Sequence, residues 1–412
     1  MKILHITYFS EGGGAISIKR LNESLIEKKI NSQIFFYDKY LEQKKISLNF
    51  LFHKFYLKIK VLIKKVLLKF FIYRPNKETV SFNLFNNLDI NQILKEKKID
   101  IVHLHWIGGE MVSLKQIANI EIPIVWTLHD MWPFCGTEHF SYNNRHLKNY
   151  SKKSRNENEL GIDFNRIVWM KKKKYFSKKK FYLVAPSKWM LKNVIKSQIF
   201  KNSKIDTLPS ILSLKKWKID NTKNANIKKR EKKVLLFSGT SSVNFRKGFK
   251  FLVEAINNYL SEKNYSLIVI GDKPKNFEDI KIEKKYLGMI KSEKELIKIY
   301  KKSDIFVLPS LAESFGQVFI EAGSMGLPCV AFKNTGASEI ILHKKNGYLA
   351  NYKSAKDFAE GIVWSKKIIE NKNNRKNIRQ LVLKKFSSKN RINDYIKLYK
   401  KAYKSFYTKK LD

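Results

Sequence analysis

The amino-acid sequence predicts an α/β protein made of two domains, each a parallel sheet covered by helices. Its 412 residues are too many for one ordinary hydrophobic core and suggest two or three units. Short apolar runs alternate with helical stretches, and this alternation occurs once in each half of the chain. Between the halves, residues 220–233 are polar, charged and without apolar periodicity, which is typical of a linker.

The strands are predicted from short apolar segments bounded by polar or turn residues. In the first half these segments are KILHITYF, QIFFYD, IDIVHLHW, IPIVWTLHD and FYLVAPS, and in the second half KVLLFSGT, YSLIVIGD, SDIFVLPS and PCVAFKN. Helices such as AISIKRLNESLIEKK and FKFLVEAINNYLSEK lie between them. We therefore place an N-terminal domain at 1–215, a linker at 216–233 and a C-terminal domain at 234–387. A terminal helix follows at 388–412, and we expect it to pack on the N-terminal domain.

Charge and cysteine content limit the classes of partner. The chain has 82 Lys and Arg against 36 Asp and Glu, a formal charge of +46, which attracts nucleic acid, anionic lipid or phosphorylated ligands. No RNA-binding signature or Cys/His finger spacing accompanies it, so we expect no nucleic-acid partner. With only Cys135 and Cys329, a disulfide framework is excluded and the reducing cytoplasm is favoured. The first residues are typical of a strand and not of a signal peptide, and no apolar run approaches 18 residues.

One segment of the N-terminal domain departs from the α/β pattern. Residues 43–77 contain no acid and ten Lys or Arg. At helical spacing four of its lysines form one stripe and five apolar residues lie beside that stripe, which is typical of a helix lying in a membrane surface. The members are Lys54, Lys58, Lys65 and Lys69, and Phe55, Ile59, Leu62, Val66 and Phe70. We expect peripheral contact with the anionic inner face of the cytoplasmic membrane; a helix packed on the first sheet is the alternative.

A glycine-rich loop, SEGGGA, follows the first predicted strand and opens a helix. Glycines such as Gly13 and Gly14 let backbone N–H groups approach an anion, which the N-terminus of the helix stabilises. The loop is close to the dinucleotide-binding pattern, with Ser17 in place of its last glycine. Asp38 ends the second strand where a ribose-binding acid would lie. A phosphate-binding loop is favoured, and a sharp turn without a ligand is the alternative.

The segment TLHDMWPF places His129 and Asp130 at the end of a strand, at the sheet edge where ligands bind in open α/β folds. This position favours a functional role for His129 over a structural one. Upstream, HLHW places His103 and His105 on one face of a strand. A metal site with these histidines is conceivable, but no ligand spacing is regular and we predict none. The other nearby candidates are Glu138, His139 and His146.

The C-terminal half contains a pair of adjacent cations. NFRKGFKFL supplies Arg246 and Lys247 shortly after the first strand of this half. Their chemistry suits a diphosphate, which Arg binds as a fork and Lys as a point charge. Because lysine is common in this chain, the location of the pair after a strand is stronger evidence for a diphosphate site than the residue types are.

The segment ESFGQVFIE places Glu313 and Glu321 eight positions apart. On a continuous helix their backbones would be about 12 Å apart. Paired hydrolytic carboxylates need roughly 5 to 9 Å, so an acid and base acting on one bond are disfavoured. Two carboxylates that accept hydrogen bonds from the diols of one extended ligand fit better, and two solvated glutamates are the alternative. Between them, phosphate or sugar oxygens could bind the backbone amides of Ser314, Phe315 and Gly316.

The sequence around this pair of glutamates resembles a known family. SDIFVLPSLAESFGQVFIEAGSMGLPCVAFKNTGASEII is similar to the donor-binding region of family 4 glycosyltransferases, which are retaining, nucleotide-sugar-dependent enzymes with the GT-B fold. The Glu-x7-Glu pair, the Gly-Leu-Pro turn and NTG all match. GGG, HDMWPF, APSKW, RKG and YLGMI extend the resemblance over most of the chain, and TLHDMWPF is similar to members that build bacterial surface polysaccharides. The resemblance implies two Rossmann-like domains facing a cleft.

The resemblance also implies a role for each matching residue. Glu313 would contact donor-sugar hydroxyls and Glu321 the ribose hydroxyls. Lys247, assisted by Arg246, would neutralise the diphosphate, and His129 would bind near the transferred sugar. Backbone contacts across the cleft to the diphosphate are implied at Gly13 and Gly14, and to the nucleotide base at Gly288 and Met289. One departure concerns an arginine that the family usually carries after this strand, because Thr240 occupies the slot here and Arg246 is the candidate replacement.

We therefore expect a hexosyltransferase-type enzyme. It would move a sugar from a UDP- or GDP-sugar to a saccharide acceptor, with retention of configuration. The basic segment implies that this acceptor is linked to a membrane lipid. No Asp-x-Asp occurs, so we expect no metal cofactor, and the nucleotide sugar is a co-substrate. The alternatives are a sugar-nucleotide epimerase of the same architecture, a dehydrogenase suggested by the glycine loop and Asp38, and a non-catalytic basic scaffold for membrane or nucleic acid.

Overall fold

The structure is a computed structural model that describes residues 1–44, 79–157, 159, 161–213, 217, 231–239 and 245–408. The basic segment beyond residue 44, most of the predicted linker and Thr240 lie outside these residues. The described residues form two compact units. The first unit comprises those within Met1–Pro186, Met190–Leu208 and Asp394–Asp412, and the second those within Ser187–Trp189 and Pro209–Asn393.

The first unit contains a six-stranded sheet in the order β2-β1-β3-β4-β5-β6, with every pair parallel. The sequence predicted five of these strands. The sixth, at one edge, has the polar sequence KIDT and was missed because it has no apolar run. The strands are β1 (Lys2–Thr7), β2 (Asn31–Phe36), β3 (Ile101–Leu104), β4 (Ile124–Thr127), β5 (Tyr182–Ala185) and β6 (Lys204–Thr207).

The second unit contains another six-stranded parallel sheet, in the order β12-β11-β10-β7-β8-β9. Its two edge strands, EKKY and GYLA, were not predicted from the sequence. Together the two sheets confirm the predicted α/β class. The strands are β7 (Lys233–Gly239), β8 (Tyr265–Gly271), β9 (Glu283–Tyr286), β10 (Ile305–Leu308), β11 (Cys329–Phe332) and β12 (Gly347–Ala350).

Helices of the described residues cover the faces of the sheets. Six of them begin after an Asp, Ser or Asn whose side chain accepts a hydrogen bond from a backbone N–H of the first turn, which offsets the unpaired donors of a helix start. The helices are α1 (Gly12–Glu27), α2 (Tyr37–Lys44), α3 (Ile90–Glu96), α4 (Leu114–Ala118), α5 (Phe164–Phe176), α6 (Lys188–Ile195), α7 (Phe249–Tyr259), α8 (Glu293–Lys302), α9 (Gln317–Ser324), α10 (Ala355–Ile369), α11 (Lys372–Phe386) and α12 (Ser388–Tyr407).

The strand order fixes where each unit can bind a ligand. In the first sheet the connections leave neighbouring β1 and β3 in opposite directions, and in the second sheet the same holds for β7 and β10. Open α/β sheets bind ligands outside the carboxyl ends of the strands at such switch points. The glycine loop and Trp106 follow β1 and β3, whereas Lys247 and Glu313 follow β7 and β10.

Two simple sequence expectations concern cysteines and membrane spans. Cys135 and Cys329 are both free and buried. Among the helices of the described residues, none has both the length and the apolar character needed to cross a bilayer.

Candidate functional site

At the switch point of the second sheet, the turn after β7 lies against the loop after β10. The backbone N–H of Leu311 donates to the carbonyl oxygen of Arg246 at 2.8 Å. Gly248 has a φ of +66°, and a Cβ there would lie 2.0 Å from the carbonyl oxygen of Pro309. Only glycine permits both this conformation and this approach. The Arg-Lys-Gly motif therefore holds the two cations beside the loop that carries Glu313.

An ion pair joins the two loops. Lys247 Nζ lies 2.8 Å from Glu313 Oε2, and Arg246 Nη1 lies 3.6 Å from the same oxygen. Arg246 also donates to the carbonyl oxygen of Ala312 at 3.0 Å, and the Ser310 hydroxyl lies 3.5 Å from Glu313 Oε2. Two cations therefore share one carboxylate, which leaves a local excess of positive charge.

Burial and charge set the ionisation of this pair. Burial would raise the pKa of the Glu313 carboxyl, but Lys247 and Arg246 outweigh it and hold that pKa below its usual value. Burial lowers the pKa of Lys247, although Glu313 acts in the opposite direction. Glu313 is therefore an ionised hydrogen-bond acceptor at neutral pH, not a proton donor.

The backbone beside Glu313 is fixed by the NTG turn. The N–H of Gly336 donates to the carbonyl oxygen of Glu313 at 2.6 Å, and a Cβ at Gly336 would lie 2.4 Å from the backbone of Ser314. The next carbonyl oxygen, that of Ser314, accepts a hydrogen bond from the Ser187 hydroxyl at 2.6 Å. Ser314 and Phe315 are buried. Gly316 precedes α9, so Glu313 lies in the loop before the helix and not on it, as a continuous helix would have required.

Glu321 lies inside α9 and is 3% exposed. Its Oε2 accepts a hydrogen bond from the Tyr300 hydroxyl of α8 at 3.3 Å. The two glutamates thus occupy different surroundings: one is paired with cations in a loop, and the other is held by a tyrosine within the helix layer.

Gly288 and Met289 follow β9. Gly288 accepts a hydrogen bond through its carbonyl oxygen from the N–H of Gly271, the last residue of β8, at 2.9 Å. A Cβ on Gly288 would meet no atom within 4 Å, and the Met289 side chain is 48% exposed. This backbone is therefore open to a ligand at the carboxyl edge of the sheet.

In the first unit, the glycine loop opens α1. A Cβ added to Gly13 or Gly14 would meet no atom within 4 Å, so neither glycine is required by packing. Asp38 Oδ2 accepts hydrogen bonds from the N–H and hydroxyl of Ser10 at 2.7 and 2.8 Å, and its Oδ1 accepts from the N–H of Lys39 at 2.7 Å. This carboxylate stabilises the loop itself, which removes the sequence argument for Asp38 as a ribose-binding acid.

His129 follows β4 and takes part in a chain of ring hydrogen bonds. His129 Nε2 lies 2.9 Å from Nδ1 of His105, and His105 Nε2 lies 2.9 Å from Nδ1 of His5. Burial lowers the pKa of His129 to about 4 and that of His5 to about 3, since a charged imidazole loses its hydration there. Burial also lowers the pKa of His105 well below its usual value. All three histidine rings are therefore neutral at physiological pH.

A second hydrogen-bonded set, Ser81–His139–Asp130, has the connectivity of a hydrolase triad. Ser81 Oγ lies 2.8 Å from His139 Nε2, and His139 Nδ1 lies 2.6 Å from Asp130 Oδ2. Ser81 is wholly buried, and its oxygen also accepts the N–H of Gly109 at 2.8 Å. A substrate does not reach this hydroxyl, so the set joins two loops and is not a nucleophilic centre.

The loops joined in this way hold a group of aromatic rings at the carboxyl edge of β1 and β3. The Trp106 ring stacks on His139 with centroids 5.0 Å apart, and Phe9 packs against Trp106 at 4.8 Å. Phe9 is 47% exposed. Trp106 directly follows His105, the hydrogen-bond partner of His129. The arrangement therefore offers apolar ring faces close in sequence to the hydrogen-bonded histidines.

Among the described residues, one group could bring three metal-ligand atoms together: His5, His103 and His105, whose candidate atoms lie within 4.8 Å of one another. Both ring nitrogens of His105 are already hydrogen bonded within the chain described above. His103 is occupied in the same way, by the Tyr399 hydroxyl at 2.7 Å and the Thr127 hydroxyl at 2.8 Å. Metal binding would have to break these bonds, so the group does not fit a resident metal.

Two protein-family models match the chain. The model described as Glycosyltransferase Family 4 matches residues 12–212, and the model described as Glycosyl transferases group 1 matches residues 232–365. Between them they span most of both units. The chain is a family 4-like glycosyltransferase with the GT-B fold. The resemblance to this family that the sequence predicted is thereby confirmed.

Relatives and solved structures agree with this assignment. The glycosyltransferase is 28% identical over 325 residues to an uncharacterised 41.2 kDa protein in the cps region of Klebsiella pneumoniae, covering 76% of this chain and 82% of the relative. It is 27% identical over 228 residues to the capsular polysaccharide biosynthesis glycosyltransferase CapM of Staphylococcus aureus, covering 50% and 58% of the two chains.

The solved structures show the same fold at low identity. A glycosyltransferase of Rickettsia africae matches with a TM-score of 0.62 and 17% identity, covering 97% of this chain and 98% of that one. Anabaena HepE in complex with UDP-glucose matches with a TM-score of 0.58 and 16% identity, covering 99% and 100%.

Sequence reasoning missed several residues that shape the site of this glycosyltransferase. His5 was not singled out, although it lies in the first strand and pairs in register with His103. Ser81 carries no local signal, because its contact with His139 joins positions 58 residues apart. Two further candidates for a metal site have other partners: the Tyr150 hydroxyl donates to Glu138, and His146 Nε2 lies 3.1 Å from the side-chain oxygen of Asn193.

Proposed function

We propose that this glycosyltransferase moves a hexosyl group from a UDP- or GDP-sugar to a saccharide carried on a lipid, with retention of anomeric configuration, during bacterial surface polysaccharide synthesis. The observation that carries the proposal is the cluster of Lys247, Arg246 and Glu313 at the switch point of the second sheet. The cluster combines excess positive charge for a diphosphate with an ionised carboxylate for sugar hydroxyls.

The chemistry of the cluster suits the donor. A lysine ammonium has three donors, of which one binds Glu313, so the same group can also bind phosphate oxygens. Arg246 adds a second charge beside it. In this partly buried site such charges stabilise a departing diphosphate more strongly than they would in water. We propose no metal cofactor, because these cations and the helix N-termini supply the stabilisation that a metal would otherwise give.

Relatives support the donor and the pathway. Anabaena HepE binds UDP-glucose, and an Escherichia coli relative transfers galactose from UDP-Gal to α-D-GlcNAc-diphosphoundecaprenol. The S. aureus relative acts in capsular polysaccharide biosynthesis. These activities suggest a UDP-sugar donor and an acceptor saccharide linked to a lipid diphosphate. The exposed Phe9 and the neighbouring Trp106 offer apolar ring faces of the kind on which the C–H face of a sugar can pack.

The reaction that we propose breaks the bond between the anomeric carbon and the diphosphate oxygen. A new bond forms from the acceptor hydroxyl oxygen to the same carbon and on the same face, and the hydroxyl proton passes to an oxygen of the departing diphosphate. Glu313 binds the hydroxyls of the transferred sugar, Glu321 binds the ribose, and His129 is a polar contact of the transferred sugar. None of these groups is required as a general base.

A donor screen combined with two variants tests this function. A thermal-shift screen of UDP-, GDP- and ADP-sugars should show stabilisation by one class, since a ligand that binds only the folded state raises its stability. Sugar transfer should then fall at least about 100-fold in Glu321→Ala and in His129→Ala, because each loses a contact to the reacting complex. Near-wild-type transfer in both variants would overturn the site assignment.

A further inference from the structure

His129 is the outer member of a chain of three hydrogen-bonded histidine rings, and the inner member lies within the first sheet. His5 lies on β1, His105 follows β3 and His129 follows β4, so three neighbouring strands each contribute one ring. Two ring-to-ring hydrogen bonds of 2.9 Å connect them in the order His5–His105–His129. Each bond uses Nδ1 of one ring and Nε2 of the next, so the direction of the protons in one bond fixes their direction in the other.

The inner end of the chain decides that direction. His5 is wholly buried, and among the described residues its Nε2 has no hydrogen-bond partner. If that nitrogen carried a proton, a buried N–H donor would be left unpaired, which native structures rarely tolerate. An unpaired ring acceptor is the smaller cost. The favoured arrangement therefore places the proton of His5 on Nδ1.

The positions of the protons on the other two rings follow from the hydrogen bonds. His5 Nδ1–H donates to His105 Nε2, so His105 carries its proton on Nδ1 and donates it to His129 Nε2. His129 then carries its own proton on Nδ1. We infer that His5 and His105 are positioning residues: their ring hydrogen bonds keep the proton of His129 on Nδ1, so that His129 acts on the sugar as a hydrogen-bond donor through this nitrogen.

Flanking groups keep the chain rigid. The His103 ring lies 4.9 Å from that of His5 and 4.1 Å from that of His105, and it is itself anchored by Thr127 and Tyr399. Asp130, the nearest carboxylate in sequence to His129, is bound to His139 and to the N–H of Trp132. The charge of Asp130 still raises the pKa of His129, but burial outweighs it and leaves the His129 ring neutral.

The inference rests on the proposed contact between His129 and the sugar, but the position of the proton can be measured without any substrate. Two-bond proton–nitrogen correlation spectra of the full chain labelled with ¹⁵N-histidine distinguish protonated from unprotonated ring nitrogens. In the wild type we expect a protonated Nδ1 and an unprotonated Nε2 for His129. The opposite assignment would overturn the inference.

Variants of the inner ring test the direction of the chain. In His5→Leu the donor to His105 is lost, and the His129 signals should move towards a mixture of the two tautomers. His5→Asn retains an N–H near the Nδ1 position and should keep the wild-type signals. His105→Phe should release His129 altogether, while His343→Phe, in the second unit, should change nothing. Unchanged His129 signals in both His5→Leu and His105→Phe would overturn the inference.

The kinetic result separates this inference from the proposed function. We expect kcat to fall about 10- to 100-fold in His5→Leu and to recover in His5→Asn, with little change in KM for the donor, as is typical when an orienting partner is removed. If His129→Ala keeps full activity while His5→Leu still changes the tautomer, the sugar contact fails and the proton assignment stands. If His129→Ala is inactive but the tautomer does not respond, the reverse holds.

Discussion

The Lys247–Glu313 pair is the contact on which the proposed donor site depends. The lysine is held in a turn after β7 and the glutamate in a loop after β10, and the 2.8 Å contact between them keeps both ionised despite burial. Either partner without the other would be a buried, unpaired charge. The pair therefore maintains a charged site, and we propose that its remaining hydrogen-bonding capacity binds the diphosphate and the sugar of the donor.

Replacing Lys247 by Met should lower kcat/KM at least about 100-fold, because the developing charge of the diphosphate loses its nearest cation. The matched control is Lys250→Met, which removes the same charge from an exposed position three residues along the chain. Its activity should stay within about twofold of the wild type. Steady-state kinetics with the donor found in the screen measure both. Equal losses in the two variants would show that only overall charge matters.

The pH dependence of kcat/KM should show no histidine ionisation near pH 6.5. Burial lowers the pKa of His129 to about 4, so the ring is neutral above that value and its protonation affects the rate only in more acidic solution. The measurement is a pH–rate profile between about pH 5 and 8. An inflection near 6.5 that disappears in His129→Asn would contradict this expectation.

At the scale of elements, α5 illustrates how a buried charge can fix a loop. Lys172 of α5 is wholly buried, and its ammonium donates to the carbonyl oxygens of Trp132, Cys135 and Gly136, the latter two at 3.0 and 2.7 Å. It also lies 3.9 Å from the centroid of the Trp132 ring. Burial lowers the pKa of Lys172 to about 7, although the nearby acidic groups Cys135, Glu138 and Asp130 act in the opposite direction. The helix thus holds the loop that follows His129.

Lys172→Met should lower the free energy of unfolding by at least about 3 kcal/mol, because three buried carbonyl groups lose their donor. Lys171→Met, at the neighbouring exposed position, should have no measurable effect. Urea unfolding followed by circular dichroism would measure both variants. A loss below about 1 kcal/mol in Lys172→Met would mean that water replaces the lysine.

The elements also show what the sequence could and could not predict. Central strands such as β4 and β10 are buried on both faces and appear as apolar runs, so they were found. Edge strands such as β6 and β9 are half-exposed and polar, and they were missed. Motif spacing placed Arg246, Lys247 and Glu313 correctly at one sheet edge. The histidine chain was not foreseen, because its members come from three strands far apart in sequence and only the strand order makes them neighbours.

At the scale of the whole molecule, the net charge of +46 remains the property least explained by the described site. We predict that it attaches the enzyme to the anionic inner face of the cytoplasmic membrane through the basic segment, where a lipid-linked acceptor would be found. Replacing Lys54, Lys58, Lys65 and Lys69 by Gln should strongly reduce co-sedimentation with anionic liposomes. An equal number of lysine replacements in α8 and α11 is the control, and equal loss in both sets would indicate a non-specific effect of charge.

The central claim is acceptor-dependent transfer from a nucleotide sugar at the Lys247–Glu313 site. The most direct measurement follows nucleoside diphosphate release from the stabilising donor, with and without a saccharide-diphospholipid acceptor, in the wild type, Lys247→Met and Lys250→Met. We predict release only with acceptor, and only in the wild type and Lys250→Met. Release without acceptor at the same rate, or equal rates in all three proteins, would contradict the account.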